Sequence, residues 1–383
     1  MTSALKPPLA RNPTLNVRCG PAYRGSLPRS VEALKKWHAR LPDSPAEEVL
    51  DPAMPIVDAH HHLFGNSNDE QHYRAQDLQR DMAGGHRVIG TVYVEAYQSG
   101  WRQTGPEALR PVGEVEMIVG LAGTPVAGVQ GACQIAAGIV SSADLTLGES
   151  VAEVLAAQME AGQGRLRGVR HHAAYDNGLV GRFIKHPPKP HLLLDPAFRK
   201  GLAQLPQWGL SFDAWIYHHQ VNELTDLADT FPHIPLVLNH VGGVIGVGEF
   251  EAQRADVLKS WAMDLRNLAL RPNVRVKVGG MGMPVFGFGF EHQPRPATSA
   301  ELVQAWQPLI DTCLDAFGSQ RCMFESNFPV DKQSCGYTTL WNAFKLATRS
   351  LSPDERKALF YRTACATYRL PELENAADRM GAA

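Results

Sequence analysis

From Pro55 onward, short β-branched or apolar runs alternate with stretches of helical spacing. Eight runs stand out: "PIVDAHHHL", "RVIGTVYVEAY", "CQIAAGIVSSADL", "RLRGVRHHAAY", "LSFDAWIYHH", "IPLVLNHVGG", "NVRVKVGGM" and "RCMFESNFPV". The segments between them, such as "ESVAEVLAAQMEAG" and "VNELTDLADTF", are long enough for helices, and the alternation predicts repeated βα units with parallel strands. The fold class expected is α/β, a single (β/α)8 barrel over residues 51–383. A doubly wound sheet is the runner-up, but no glycine-rich phosphate turn follows the first strand. Residues 1–50 break the pattern: they are polar and proline-rich, with one predicted helix in "PRSVEALKKWHARL", where Val31, Leu34 and Trp37 keep helical spacing. They read as an N-terminal extension that packs on the body or on a partner subunit.

Polar residues interrupt these runs at or near their C-terminal ends. His60 and His62 lie in the first, Glu95 in the second, Arg170 and His171 in the fourth, His218 in the fifth, His240 in the sixth, Lys277 in the seventh, and Glu325 and Asn327 in the eighth. An eight-stranded barrel brings those ends to one mouth, where active sites are built. Strand alternation puts His60 and His62 on one face and His61 on the other, so the pair can clamp a metal. Asp58 shares their face one step deeper, where it could ligate or orient an imidazole. A single strand-end histidine is more often scaffolding, and Glu95 and Glu325 could be salt-bridged to Lys277 or Arg170 without a metal. A buried cluster of imidazoles and carboxylates, however, costs several kcal/mol unless a cation satisfies it.

Composition narrows the ligand. With 37 basic and 39 acidic residues, the chain has no electrostatic reason to bind nucleic acid or an anionic membrane. Six cysteines without a C-x-x-C pair suggest neither a thiolate zinc site nor a disulfide framework. No apolar run approaches the ~18 residues of a membrane span. A soluble cytoplasmic protein with a small-molecule substrate is expected.

"VDAHHHL", "VLNHVGG" and the closing "TACATYRL" together resemble the amidohydrolase superfamily, in its amidohydrolase-related branch, over about residues 55–371. The resemblance implies a (β/α)8 barrel, a metal at the mouth held by His60 and His62, and in most members hydrolysis of a lactone, ester or amide. Sister members are decarboxylases, and some lactonases of the branch work without metal. The hydrolytic members usually end the eighth strand in Gly-Ser-Asp, whose aspartate is the general base or a ligand. Here "FESNFPVD" puts Asn327 in that place and Glu325 one inward-facing step below. An amide cannot accept a proton near neutral pH as a carboxylate can.

Two mechanisms follow. "FESNFPVD" also resembles a small group of dinuclear non-haem iron, or mixed iron and manganese, hydroxylases in the superfamily, among them aminoisobutyrate hydroxylase and the diterpenoid hydroxylase of platensimycin biosynthesis. On that reading two divalent ions (iron, or iron and manganese) are held by His60, His62, Glu95, His171, His218, His240 and Glu325. O2 and an electron donor are then needed, and the substrate is a small organic molecule bearing a carboxylate, which Arg170 or Lys277 would hold, with Trp215 and Tyr217 walling the pocket or simply filling the barrel. Alternatively His60, His62 and one further histidine hold a single ion, zinc for a hydrolytic centre, and Glu325 is the base. The surplus of ligands and the missing aspartate favour the first. A non-catalytic subunit of a homo- or hetero-oligomer is the remaining possibility.

Overall fold

The eight runs become eight parallel strands in a computed structural model that describes residues 23, 25, 47–64, 73–96, 98–122 and 133–381. They are β1 (Pro55–His61), β2 (Arg87–Val94), β3 (Gln134–Ser142), β4 (Leu166–Arg170), β5 (Ser211–Ala214), β6 (Leu236–Leu238), β7 (Val274–Val278) and β8 (Cys322–Phe324), hydrogen-bonded in sequence order. The intervening helices include α1 (Ala75–Met82), α2 (Val112–Leu121), α3 (Val151–Ala161), α4 (Pro196–Leu202), α5 (Val221–Thr230), α6 (Arg254–Leu268), α7 (Ser299–Phe317) and α8 (Tyr337–Ala347). The result is the expected (β/α)8 barrel. Its strands read as continuous apolar runs because helices cover one face and the barrel interior the other.

Residues just beyond β8 bring it back to β1. The Asn327 amide donates to the His60 carbonyl (2.8 Å), the His62 amide donates to the Phe328 carbonyl (2.8 Å), and His61 pairs with Phe328 in a parallel bridge. Asp58 reinforces the seam by accepting from the Ser326 amide (2.8 Å) and the Tyr337 hydroxyl (3.0 Å). The expectation that Asp58 orients an imidazole is therefore corrected: its carboxylate is taken up by the chain leaving β8 and by α8. Among the described residues no helix is long and apolar enough to cross a membrane.

The helix expected in "PRSVEALKKWHARL" lies outside the described residues. The end of the N-terminal extension is anchored, however. Glu47 accepts from the Ser299 amide (2.7 Å), and Lys345 on α8 donates to the carbonyls of Leu50 (2.8 Å) and Asp51 (2.9 Å).

Asp58→Ala strands three buried donors, the amides of His60 and Ser326 and the hydroxyl of Tyr337, each costing about 1–3 kcal/mol. The variant should lose at least about 3 kcal/mol in urea unfolding. A midpoint unchanged at constant m-value would show that Asp58 does not hold the seam.

Candidate metal centre

His60, at the end of β1, is the hub. Its Nε2 lies 3.1 Å from Nε2 of His62 and 3.4 Å from an Nη of Arg170. Its Nδ1 lies 3.0 Å from Oε2 of Glu325 and 3.3 Å from Nζ of Lys277. Glu325 also reaches His240, with Oε1 2.7 Å from Nδ1. Ligand atoms of His60, His240 and Glu325 all lie within 4.8 Å of one another, in fully buried surroundings.

Proton bookkeeping shows what this cluster can hold. His62 Nδ1 faces the Val94 carbonyl at 2.9 Å. A carbonyl only accepts, so that nitrogen carries the proton and Nε2 presents a lone pair. Burial, aided by the charges of Lys277 and Arg170, keeps the pKa values of His60, His62 and His240 well below the ordinary range, leaving neutral rings. Burial also pushes the Glu325 carboxyl up to about 8, with Lys277 pulling against it. Glu325 Oε2 is buried without a hydrogen-bond partner of good geometry. An orphaned carboxylate oxygen and the two neutral imidazoles of His60 and His240 converge closely enough to fit a divalent cation. His62 stands outside that three-residue group and faces the other nitrogen of His60. An N/O set without thiolate suits zinc, manganese or iron.

The two predicted substrate anchors are engaged elsewhere. Arg170 donates Nε to Glu95 Oε1 (2.6 Å) and Nη2 to the Glu95 carbonyl (2.8 Å). Lys277 pairs with Asp213 at 2.8 Å, and Tyr368 donates its hydroxyl to the same carboxylate oxygen. Glu95, expected among the ligands, is thus joined to Arg170, the salt-bridged alternative.

Nor are His171 and His218 brought into the three-residue group. Each accepts a backbone N–H at Nδ1, His171 from Leu145 (3.1 Å) and His218 from Ile245 (3.3 Å). A neutral ring held that way carries its proton on Nε2 and offers a donor there, not a lone pair. Asn327 donates its side-chain amide to Asp331 (2.8 Å). Trp215 packs edgewise on the His240 ring at 4.8 Å and on Tyr217 at 5.4 Å.

Sequence reading missed Asp213 and the pair Gly279 and Gly280. Asp213 had a signal: it is a charged residue within an apolar run, on the same parity as Trp215 and Tyr217. The glycines make room. A Cβ at Gly279 would sit 2.4 Å from Cγ of Glu325, and one at Gly280 would sit 2.3 Å from Nδ1 of His240, at a φ of +66°.

The amidohydrolase family model matches residues 57–370, and the chain belongs to that family. The uncharacterised protein y4mH of Sinorhizobium fredii is 28% identical over 330 residues, covering 82% of this chain and 98% of the relative. L-fucono-1,5-lactonase of Burkholderia multivorans is 30% identical over 209 residues, 54% of this chain and 64% of that enzyme. An amidohydrolase from Burkholderia multivorans, solved with bound zinc, is similar at 25% identity and a TM-score of 0.62, with 82% of this chain and 99% of that one covered. These relatives give the hydroxylase resemblance no support and favour the hydrolytic alternative.

Gly280→Ala should leave the barrel folded while displacing His240. Zinc affinity measured by chelator competition should fall at least ~10-fold, the scale of losing a group that orients a ligand. An unchanged affinity would remove His240 from the centre.

Proposed function

We propose that this chain is a metal-dependent hydrolase acting on a lactone, or a closely related ester, through the buried cluster of His60, His62, His240 and Glu325. The observation that carries this reading is Glu325, a buried carboxylate facing two imidazole rings with one oxygen left unsatisfied. One divalent ion bound by these residues would polarise the substrate carbonyl and lower the pKa of a bound water.

The chain's own residues supply the rest. Asn327 cannot take the proton of the attacking water, so the role falls to Glu325. Arg170, clamped by Glu95 and with an Nη 3.4 Å from His60 Nε2, keeps a fixed positive charge at the cluster that would favour negative charge developing on a carbonyl oxygen bound there. Trp215 holds the His240 ring and keeps water off its flank. The lactone preference is taken from the fucono-lactonase relative, and the choice of zinc from the zinc-bound amidohydrolase.

The hydrolase reading predicts turnover of six-membered sugar lactones by the zinc-loaded enzyme, followed with a pH indicator. Glu325→Gln should lower kcat about 100- to 10,000-fold. An enzyme that leaves lactones and esters untouched, holds two iron or manganese ions and consumes O2 on reduction would restore the hydroxylase.

A further inference from the structure

Glu114 lies on α2, is 2% exposed, and appears in none of the motifs above. Its carboxylate accepts three hydrogen bonds: Oε1 from the Tyr93 hydroxyl (2.6 Å) and the Ala96 amide (2.7 Å), and Oε2 from Trp101 Nε1 (3.1 Å). These donors flank Glu95 on both sides.

The peptide joining Glu95 to Ala96 is therefore held at both ends by ionisable side chains. Its N–H donates to the Glu114 carboxylate, and its C=O accepts from the Arg170 guanidinium at 2.8 Å. Burial and the neighbouring Glu95 push the Glu114 carboxyl up to about 7, while its three donors pull it back toward the carboxylate. That form best matches the N–H end of the peptide dipole, as the Arg170 cation matches the carbonyl end. The preceding peptide is fixed as well: its N–H donates to the Val140 carbonyl (2.9 Å), and its C=O, that of Val94, takes the Nδ1 proton of His62. Two consecutive peptides at the end of β2 thus orient one imidazole of the centre and its neighbouring guanidinium.

We infer that Glu114 is a positioning residue: by anchoring the end of β2 from outside the barrel, it sets the placement of His62 and Arg170. The inference rests on the proposed reading only in that His62 belongs to the metal centre; it needs no particular substrate. Glu114→Gln keeps an acceptor for the Tyr93 hydroxyl and the Ala96 amide, but abolishes the carboxylate and turns an N–H toward Trp101 Nε1.

The test is zinc affinity of the metal-stripped full chain by chelator competition, beside far-UV circular dichroism and lactone kinetics. Glu114→Gln is expected to fold, to bind zinc about 10-fold more weakly, and to lose kcat more than KM changes. Tyr93→Phe, which removes a single donor to Glu114, should weaken zinc binding about threefold, and it carries the test if the first variant does not fold. A melting temperature that falls while zinc affinity and kcat stay within twofold of the wild type would overturn the inference and leave Glu114 as a structural staple. A wild-type chain that binds no zinc would overturn the underlying reading instead, and wild-type zinc binding without lactone turnover would count against the proposed substrate while the affinity comparison still decides the role of Glu114.

Discussion

The constraint on which this structure depends is the burial of charge inside a parallel barrel. Five carboxylates and two cations occupy the interior or its mouth with almost no exposure: Asp58, Glu95, Asp213, Glu325 and Asp331, with Arg170 and Lys277. Ionised groups in such surroundings must be paired, hydrogen-bonded or neutralised. Arg170 closes on Glu95, Lys277 on Asp213, and Asp58 on the Ser326 amide and the Tyr337 hydroxyl. Asp331 accepts from Asn327 and from the Gly282 amide. Glu325 alone among these five faces neutral imidazoles, and so it is the group that calls for an ion.

Catalytic reach follows from the same pairing. Lys277 sits below His60 and is bound down by Asp213, while Arg170 sits beside the other nitrogen of that ring and is bound by Glu95. Burial keeps the His60 ring neutral, the two cations add to that effect, and each of their carboxylate partners is occupied by a salt bridge. The groups left to converge are His60, His240 and Glu325, with His62 beside them, fewer than the seven counted along the strands.

Much of this was legible in the sequence. Eight apolar runs gave eight strands because parallel strands buried on both faces cannot hide their composition, and polar residues at the run ends gave the mouth. Alternation separated His61, which reaches Thr91 instead. What strand position could not reveal was which hydrogen bond each polar group makes. His171 and His218 look like ligands along the chain, yet both accept backbone amides from loops after neighbouring strands, more than 25 residues away in sequence. Glu95 looks like a ligand until Arg170 is placed 75 residues on. Glu114 carried no visible signal, since an acidic residue on a helix ordinarily faces water and only the closed barrel shows that this one does not.

The central claim is that one ion binds where His60, His240 and Glu325 converge. The most direct test is anomalous diffraction at the zinc edge from crystals of the zinc-loaded enzyme. The account predicts a single peak bounded by those residues and His62, absent in Glu325→Ala crystals. A peak at His171 or His218, two peaks in the barrel mouth, or a peak that survives the loss of Glu325 would contradict it.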